Sequence, residues 1–103
     1  MTDAKYFLIV KFSIEPQARA QVLRWLEGGH IAEVLKQPGF LWCKRVKLAE
    51  AGAFVMLYGI ESETAFLAYD NNKGLKARFA KERKSFEKHM RIERFHGEVD
   101  FSL

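Results

Sequence analysis
Residues 25–30, WLEGGH, bring an indole, two consecutive glycines and an imidazole together inside an otherwise helical pattern. Gly28 and Gly29 each cost a helix roughly 1 kcal/mol relative to alanine, so the helix is expected to bend, end early or restart there. A restart puts His30 beside a helix N-terminus, where free N–H groups favour an anion and disfavour a protonated imidazole. A neutral His30 can donate to a carbonyl or accept a proton from a phenol. Trp25, one turn earlier, and Trp42 on the neighbouring strand would hold an aromatic ring beside it, in a pocket between helix and sheet. The plainer alternative is a histidine that caps the chain or bonds a backbone carbonyl and meets no ligand.

Other side chains offer less. Trp42 and Tyr58 have the same parity in the central hairpin, which puts them on one face as a pocket wall or as core or interface packing. Arg45 and Lys47 have the opposite parity and are expected to reach solvent at the strand end; the alternative for Arg45 is to clamp a carboxylate at the pocket rim. Cys43 reads as an inert strand thiol, its basic sequence neighbours Lys44 and Arg45 pointing elsewhere. The remaining histidines, His89 and His96, flank the last strand without an acid or cysteine at metal spacing, so no metal site is expected. No cofactor is predicted either: G-x-G-x-x-G, phosphate-loop and G-x-S-x-G patterns are all missing.

Composition narrows the class. A chain of 103 residues, 49% of them apolar, is read as one domain over 1–103 with enough surface to bury without disulfides. Its one cysteine excludes an internal disulfide. The N-terminal apolar run, about five residues, is too short for a signal peptide or a membrane span, so a cytoplasmic protein without membrane contact is expected. The net charge of +4 is uneven: residues 73–94 hold nine Lys and Arg against three acids. This stripe could hold an anion or nucleic acid, but the simpler reading is a solvated helix face.

Those residues need elements to position them. KYFLIVKFS (5–13) reads as a strand, Pro16 opens a helix, and Ala18, Val22, Trp25, Leu26, Ile31, Val34 and Leu35 fall at helical spacing until Pro38-Gly39. Two further strands, 40–48 and 53–60, join through a hairpin containing Gly52. Ser62 caps a second helix, and a break at 71–74, a mobile lid or a simple kink, precedes Leu75, Phe79 and Phe86. A last strand is expected over about 90–101. The order β-α-β-β-α-β predicts an α+β, ferredoxin-like fold: a four-stranded antiparallel sheet with both helices on one face. Yet both sheet faces are apolar, with Tyr6, Leu8, Val10 and Phe12 backed by Phe7 and Ile9, and Phe54, Met56, Tyr58 and Ile60 backed by Val55 and Leu57. An open apolar face of roughly 500 Å² exceeds what monomers usually expose, so a homodimer through the sheet faces is expected.

The same order serves RNA-recognition domains, which stack bases on strand-three aromatics. In the corresponding EAGAFVML stretch (50–57) only Phe54 fits that pattern, so nucleic acid is not the expected partner. The W-x4-H-I-x2-V-L-x2-P-G-F run and the element order resemble instead the dimeric α+β barrel superfamily, which includes antibiotic-biosynthesis monooxygenases and EthD-like proteins. Within it the chain is most similar to a small bacterial family of unknown function in which Trp25, His30, Ile31, Val34, Leu35, Gly39 and Phe40 have counterparts. The resemblance implies a small dimeric barrel with a pocket for a hydrophobic or aromatic small molecule, lined by Trp25, His30, Trp42, Tyr58 and Arg45. Two alternatives stand beside it. One is a cofactor-independent monooxygenase or isomerase acting on an aromatic substrate with His30 as acid and base. The other is a structural or partner-binding dimer without catalysis.

Overall fold
The structure, a computed structural model, describes residues 3–103. Strand β1 (Tyr6–Ile14) leads into helix α1 (Pro16–Trp25), a π-helical turn (Leu26–His30) and the short helix α2 (Ile31–Leu35). Strands β2 (Phe40–Lys47) and β3 (Ala53–Ile60) form the hairpin. Helices α3 (Glu63–Asp70) and α4 (Lys73–Arg83) follow, then a 3₁₀ turn (Glu87–His89) and β4 (Met90–Glu98). The sheet order is β2-β3-β1-β4, with every neighbouring pair antiparallel. This is the ferredoxin-like α+β arrangement.

Alternation in β1 decides which face is inside. Tyr6, Leu8, Val10, Phe12 and Ile14 are buried, and the residues between them are half-exposed. Helix α1 covers that inner face with Ala18 and Val22, and the π turn adds Leu26, fully buried. Burying each such large aliphatic side chain contributes about 1.5–3 kcal/mol. From the second crossover Phe66, Leu75 and Phe79 complete the core.

Three expectations need correction. The helix bends at the glycines, as expected, but without the free N–H groups of a fresh start: two helical segments meet at a kink where Gly29 alone leaves the helical region, with φ 153° and ψ −29°, and the Ile31 N–H bonds the Leu26 carbonyl across a widened turn. His30 has helical φ and ψ directly after the kink, at the N-cap of α2, and the Ile31 N–H that follows it is already bonded across the turn. Trp42 is on the other face from Tyr58. A bulge between Phe40 and Trp42 shifts the register, so Trp42 faces Gly59 while Cys43 faces Tyr58, and sequence parity no longer reports the face. The last strand ends at Glu98 rather than near Phe101, and Phe101 and Leu103 are exposed beyond it. At 71–74 the chain passes directly from α3 to α4, with the Asn72 side chain accepting from the Leu75 N–H. Among the described residues no helix is long and apolar enough to cross a membrane.

Candidate functional site
A chamber of about 180 Å³ lies between α3, α4 and the β4 side of the sheet, walled by Leu8, Phe66, Phe79 and Tyr69. A smaller recess of about 20 Å³, room for roughly one water-sized group, has Trp25, His30, Val34 and Tyr58 in its lining. Leu8, Tyr69, Phe79, Arg83 and Arg94 line both spaces. The α4 pattern explains part of this: Leu75, Phe79 and Arg83 recur every four residues on one face, which carries a guanidinium to the end of an apolar stripe. Arg94 reaches the same place from β4, where it pairs with Val10 on the inner face.

His30 lines the recess. Its ring stacks on Trp25 at 4.0 Å between centroids and meets the edge of Phe79 at 4.4 Å. Its Nδ1 is buried and has no hydrogen-bond partner among the described residues. Burial, then the positive charges of Arg83 and Arg94, lower its pKa from 6.5 to about 4, so the imidazole is neutral at physiological pH. The histidine is thus kept neutral chiefly by desolvation and then by two arginines. Burial also raises the pKa values of Tyr58 and Tyr69, which remain phenols able to donate a hydrogen bond. Trp25 is held from the other side, its Nε1–H donating to Glu82 Oε1 at 3.0 Å.

Of the residues singled out in the sequence, Trp25, His30 and Tyr58 come together around the recess. Trp42 does not join them; it lies on the outer sheet face, edge-on to Phe7, its indole so close over Gly59 that an added Cβ there would collide with it. Arg45 is also elsewhere. It pairs with Glu27 at 2.7 Å and lies over Phe54, tying the β2 edge to the π turn, so its carboxylate partner belongs to the protein. Cys43 is half-buried on the inner face, where burial raises its pKa against the opposing pull of Arg45, as suits an unreactive thiol.

Sequence reasoning passed over Arg83, Arg94 and Tyr69 and weighed His96 only as a metal ligand. The i, i+4, i+8 series ending at Arg83 was a readable signal. Arg94 and His96 were not readable, because only the register of β4 fixes which side of an edge strand they take. His96 lines the chamber, accepts or donates at Nδ1 to the Tyr6 hydroxyl at 2.7 Å, and stacks on Phe66. His89 is remote from it and bonds Glu15 at 2.9 Å. Among the described residues no group of three or more His, Cys, Asp or Glu side chains is placed to hold a metal ion.

A sequence model of the family described as domain of unknown function DUF4286 matches residues 5–95. No curated protein matches the chain. Several solved structures share its architecture. A monooxygenase from Streptomyces coelicolor, solved in complex with nanaomycin D, superposes with a TM-score of 0.76 at 18% identity, over 97% of this chain and 91% of its own. SnoaB of Streptomyces nogalater, a cofactor-independent oxygenase solved as a point mutant, gives 0.74 at 15% identity over 97% of each chain. An antibiotic biosynthesis monooxygenase from Deinococcus radiodurans, so described only provisionally, gives 0.74 at 15% identity over 95% of each. At these identities the likeness is one of fold: a ferredoxin-like α+β fold of the antibiotic-biosynthesis-monooxygenase type.

Proposed function
The chain belongs to the DUF4286 family, whose function is unknown, and from that premise we propose that it binds a small planar aromatic molecule in the chamber between helices and sheet. One observation carries this reading: the buried, unpartnered Nδ1 of His30 at a recess that shares part of its wall with an aromatic-walled chamber. A buried polar atom left without a partner costs about 1–3 kcal/mol, which a ligand hydroxyl entering the recess would recover. The ring system would rest against Phe66, Phe79 and Leu8, and Trp25 would hold the imidazole in place from behind.

A second reading, cofactor-independent oxygenation of an electron-rich aromatic, draws on the oxygenases that share the fold. There His30 would take the proton of an acidic ring position. The substrate would supply both electrons, gaining one oxygen atom while the other leaves as water. The basicity of His30 weighs against this reading, since a base whose conjugate acid has a pKa of about 4 deprotonates a phenol of pKa near 10 only at a steep free-energy cost. Hydrogen-bond acceptance fits the neutral imidazole better than proton abstraction.

The test is a titration of the protein with 2-naphthol, followed by amide and imidazole NMR signals. Shifts confined to Trp25, His30, Tyr69 and Phe79, with roughly tenfold weaker binding by His30→Phe, are expected. Unchanged signals at all four positions in the presence of millimolar 2-naphthol would remove the binding reading. We also propose that two copies pair through the outer sheet face, where Phe7, Ile9, Trp42, Val55 and Leu57 are half-buried and Val46 and Phe95 exposed.

A further inference from the structure
Arg83 and Arg94 present an electrostatic arrangement that the fold does not account for. They approach the same chamber from different elements, α4 and β4, and line both the chamber and its recess. Neither has an acidic partner within ion-pair distance among the described residues, although Arg45, Lys76, Arg78 and Arg91 do. Partial burial, then the positive charge of Arg94, disfavours the charged form of Arg83, and both arginines act on His30 and on Tyr69. Glu82 and Glu87 lie near enough to favour charged Arg83, but Glu82 is engaged by Trp25 and is within 4.0 Å of Arg78. Arg94 is exposed and water screens its charge, but half-buried Arg83 holds a charge against an apolar wall without an ion-pair partner among the described residues, which opposes folding unless something there compensates it. Asp70, the acid on the chamber wall, is bonded to Lys76 at 2.6 Å.

We propose that Arg83 and Arg94 form the anion-binding end of this chamber, and that its ligand is an aromatic acid whose carboxylate lies between the two guanidiniums. This rests on the aromatic-binding reading above and adds the charge of the ligand. A guanidinium binds a carboxylate through parallel N–H···O bonds, which makes arginine the suitable residue for a planar anion. The ring then extends along Phe66 and Phe79, and a hydroxyl substituent is within reach of the His30 recess. Lys76 and Asp70 at the chamber wall neutralise each other, which leaves the two arginines as its net charge, and His96 adds a further polar contact. Recognition is by a carboxylate at one end and a flat apolar surface in the middle, so a bare inorganic anion meets only half of the site.

Titration calorimetry with 2-naphthoate and its neutral counterpart 2-naphthamide, on the full chain, separates charge from shape. The acid is expected to bind on the order of tenfold or more tightly than the amide, with a preference that weakens as salt is raised. In Arg83→Gln and in Arg94→Gln this preference is expected to collapse while amide binding persists. The melting temperatures of the ligand-free variants should equal or exceed that of the parent chain, because a repulsion has been removed; arginines with a merely structural role would lower them. Arg94→Lys keeps the charge without the planar fork and should retain part of the preference. Equal binding of acid and amide would overturn the anion site and leave the aromatic pocket standing. Binding of neither would overturn both. An acid preference that survives both glutamine variants would place the anion elsewhere, and sulfate binding as tightly as naphthoate in the same calorimetric titration would refute an aromatic acid as the ligand.

Discussion

At the scale of single residues, the chemistry of this chain turns on an imidazole kept uncharged. Trp25 covers one face of His30, Phe79 meets it edge-on, and two arginines make a third positive charge unwelcome. Because the folded pKa is about 4 and that of the unfolded chain about 6.5, the unfolded state binds the extra proton first. The contribution of neutral His30 is therefore fully present above pH 6.5, declines as the pH falls, and is lost by about pH 4. A depression of that size corresponds to at most about 3 kcal/mol, and residual solvent access reduces it. Urea denaturation at pH 7 and at pH 4 should show the parent chain losing on the order of 2 kcal/mol more stability than His30→Gln, which has no proton to take up there. Identical pH dependence in the two proteins would mean that His30 is solvated and titrates normally. The carbon shifts of the His30 ring should likewise show no protonation between pH 8 and pH 5.5.

At the scale of elements, the π turn is what aims His30 at the recess. A helix continued with regular geometry would advance the following side chains by the usual 100° per residue; the widened turn inserts an extra residue and rotates His30 relative to Trp25. The two glycines differ sharply in what they do. An added Cβ meets nothing within 4 Å at either position, but only Gly29, at φ 153°, has a backbone that other residues rarely adopt. Gly28→Ala is therefore expected to be neutral or to stabilise by up to about 1 kcal/mol through helix propensity. Gly29→Ala should cost about 1–3 kcal/mol and weaken aromatic binding by straightening the turn. Thermal melts of the pair decide this, since equal melting temperatures would deny Gly29 its special role. The same region marks the limit of legibility in the sequence. Helical spacing on both sides of Gly28-Gly29 and the disruption at the glycines were readable; that the chain would widen rather than restart was not, because the choice depends on how Leu26 and Val34 seat in the core. Strand β1 was readable to within one residue, because its alternation matches one buried face. Trp42 was misplaced because one bulged residue reverses every later side chain in β2, and no residue type in FLWCKRVK announces it. The arginines at the chamber were visible only as part of a basic stripe, most of which is indeed exposed.

At the scale of the whole molecule, the sheet has one face too many. The inner face is covered by α1, α3 and α4, while the outer face carries Phe7, Ile9, Trp42, Val46, Val55, Leu57 and Phe95. Four strands about 4.8 Å apart and eight residues long span an area of roughly 500 Å². With the strand ends and the exposed Val99, Phe101 and Leu103, this approaches the ~800 Å² per partner of a stable interface. The second copy proposed for this face has matching chemistry, because a twofold axis through β1 and β4 would set Phe95 and Ile9 of one copy against the same apolar rows of the other. Placing a charge in that row should therefore break the assembly without unfolding the protomer, whose core lies on the opposite side of the sheet. Phe95→Asp, at a position 53% exposed in the protomer, is expected to sediment as a monomer at micromolar concentration where the parent chain sediments as a dimer. Its far-ultraviolet circular dichroism should be unchanged and its 2-naphthol affinity largely retained, since the chamber lies between the inner face and the helices of one chain. A parent chain that sediments as a monomer at all concentrations would contradict the interface, and the half-buried Trp42 and Phe7 pair would then be the outer face's own means of limiting its contact with water.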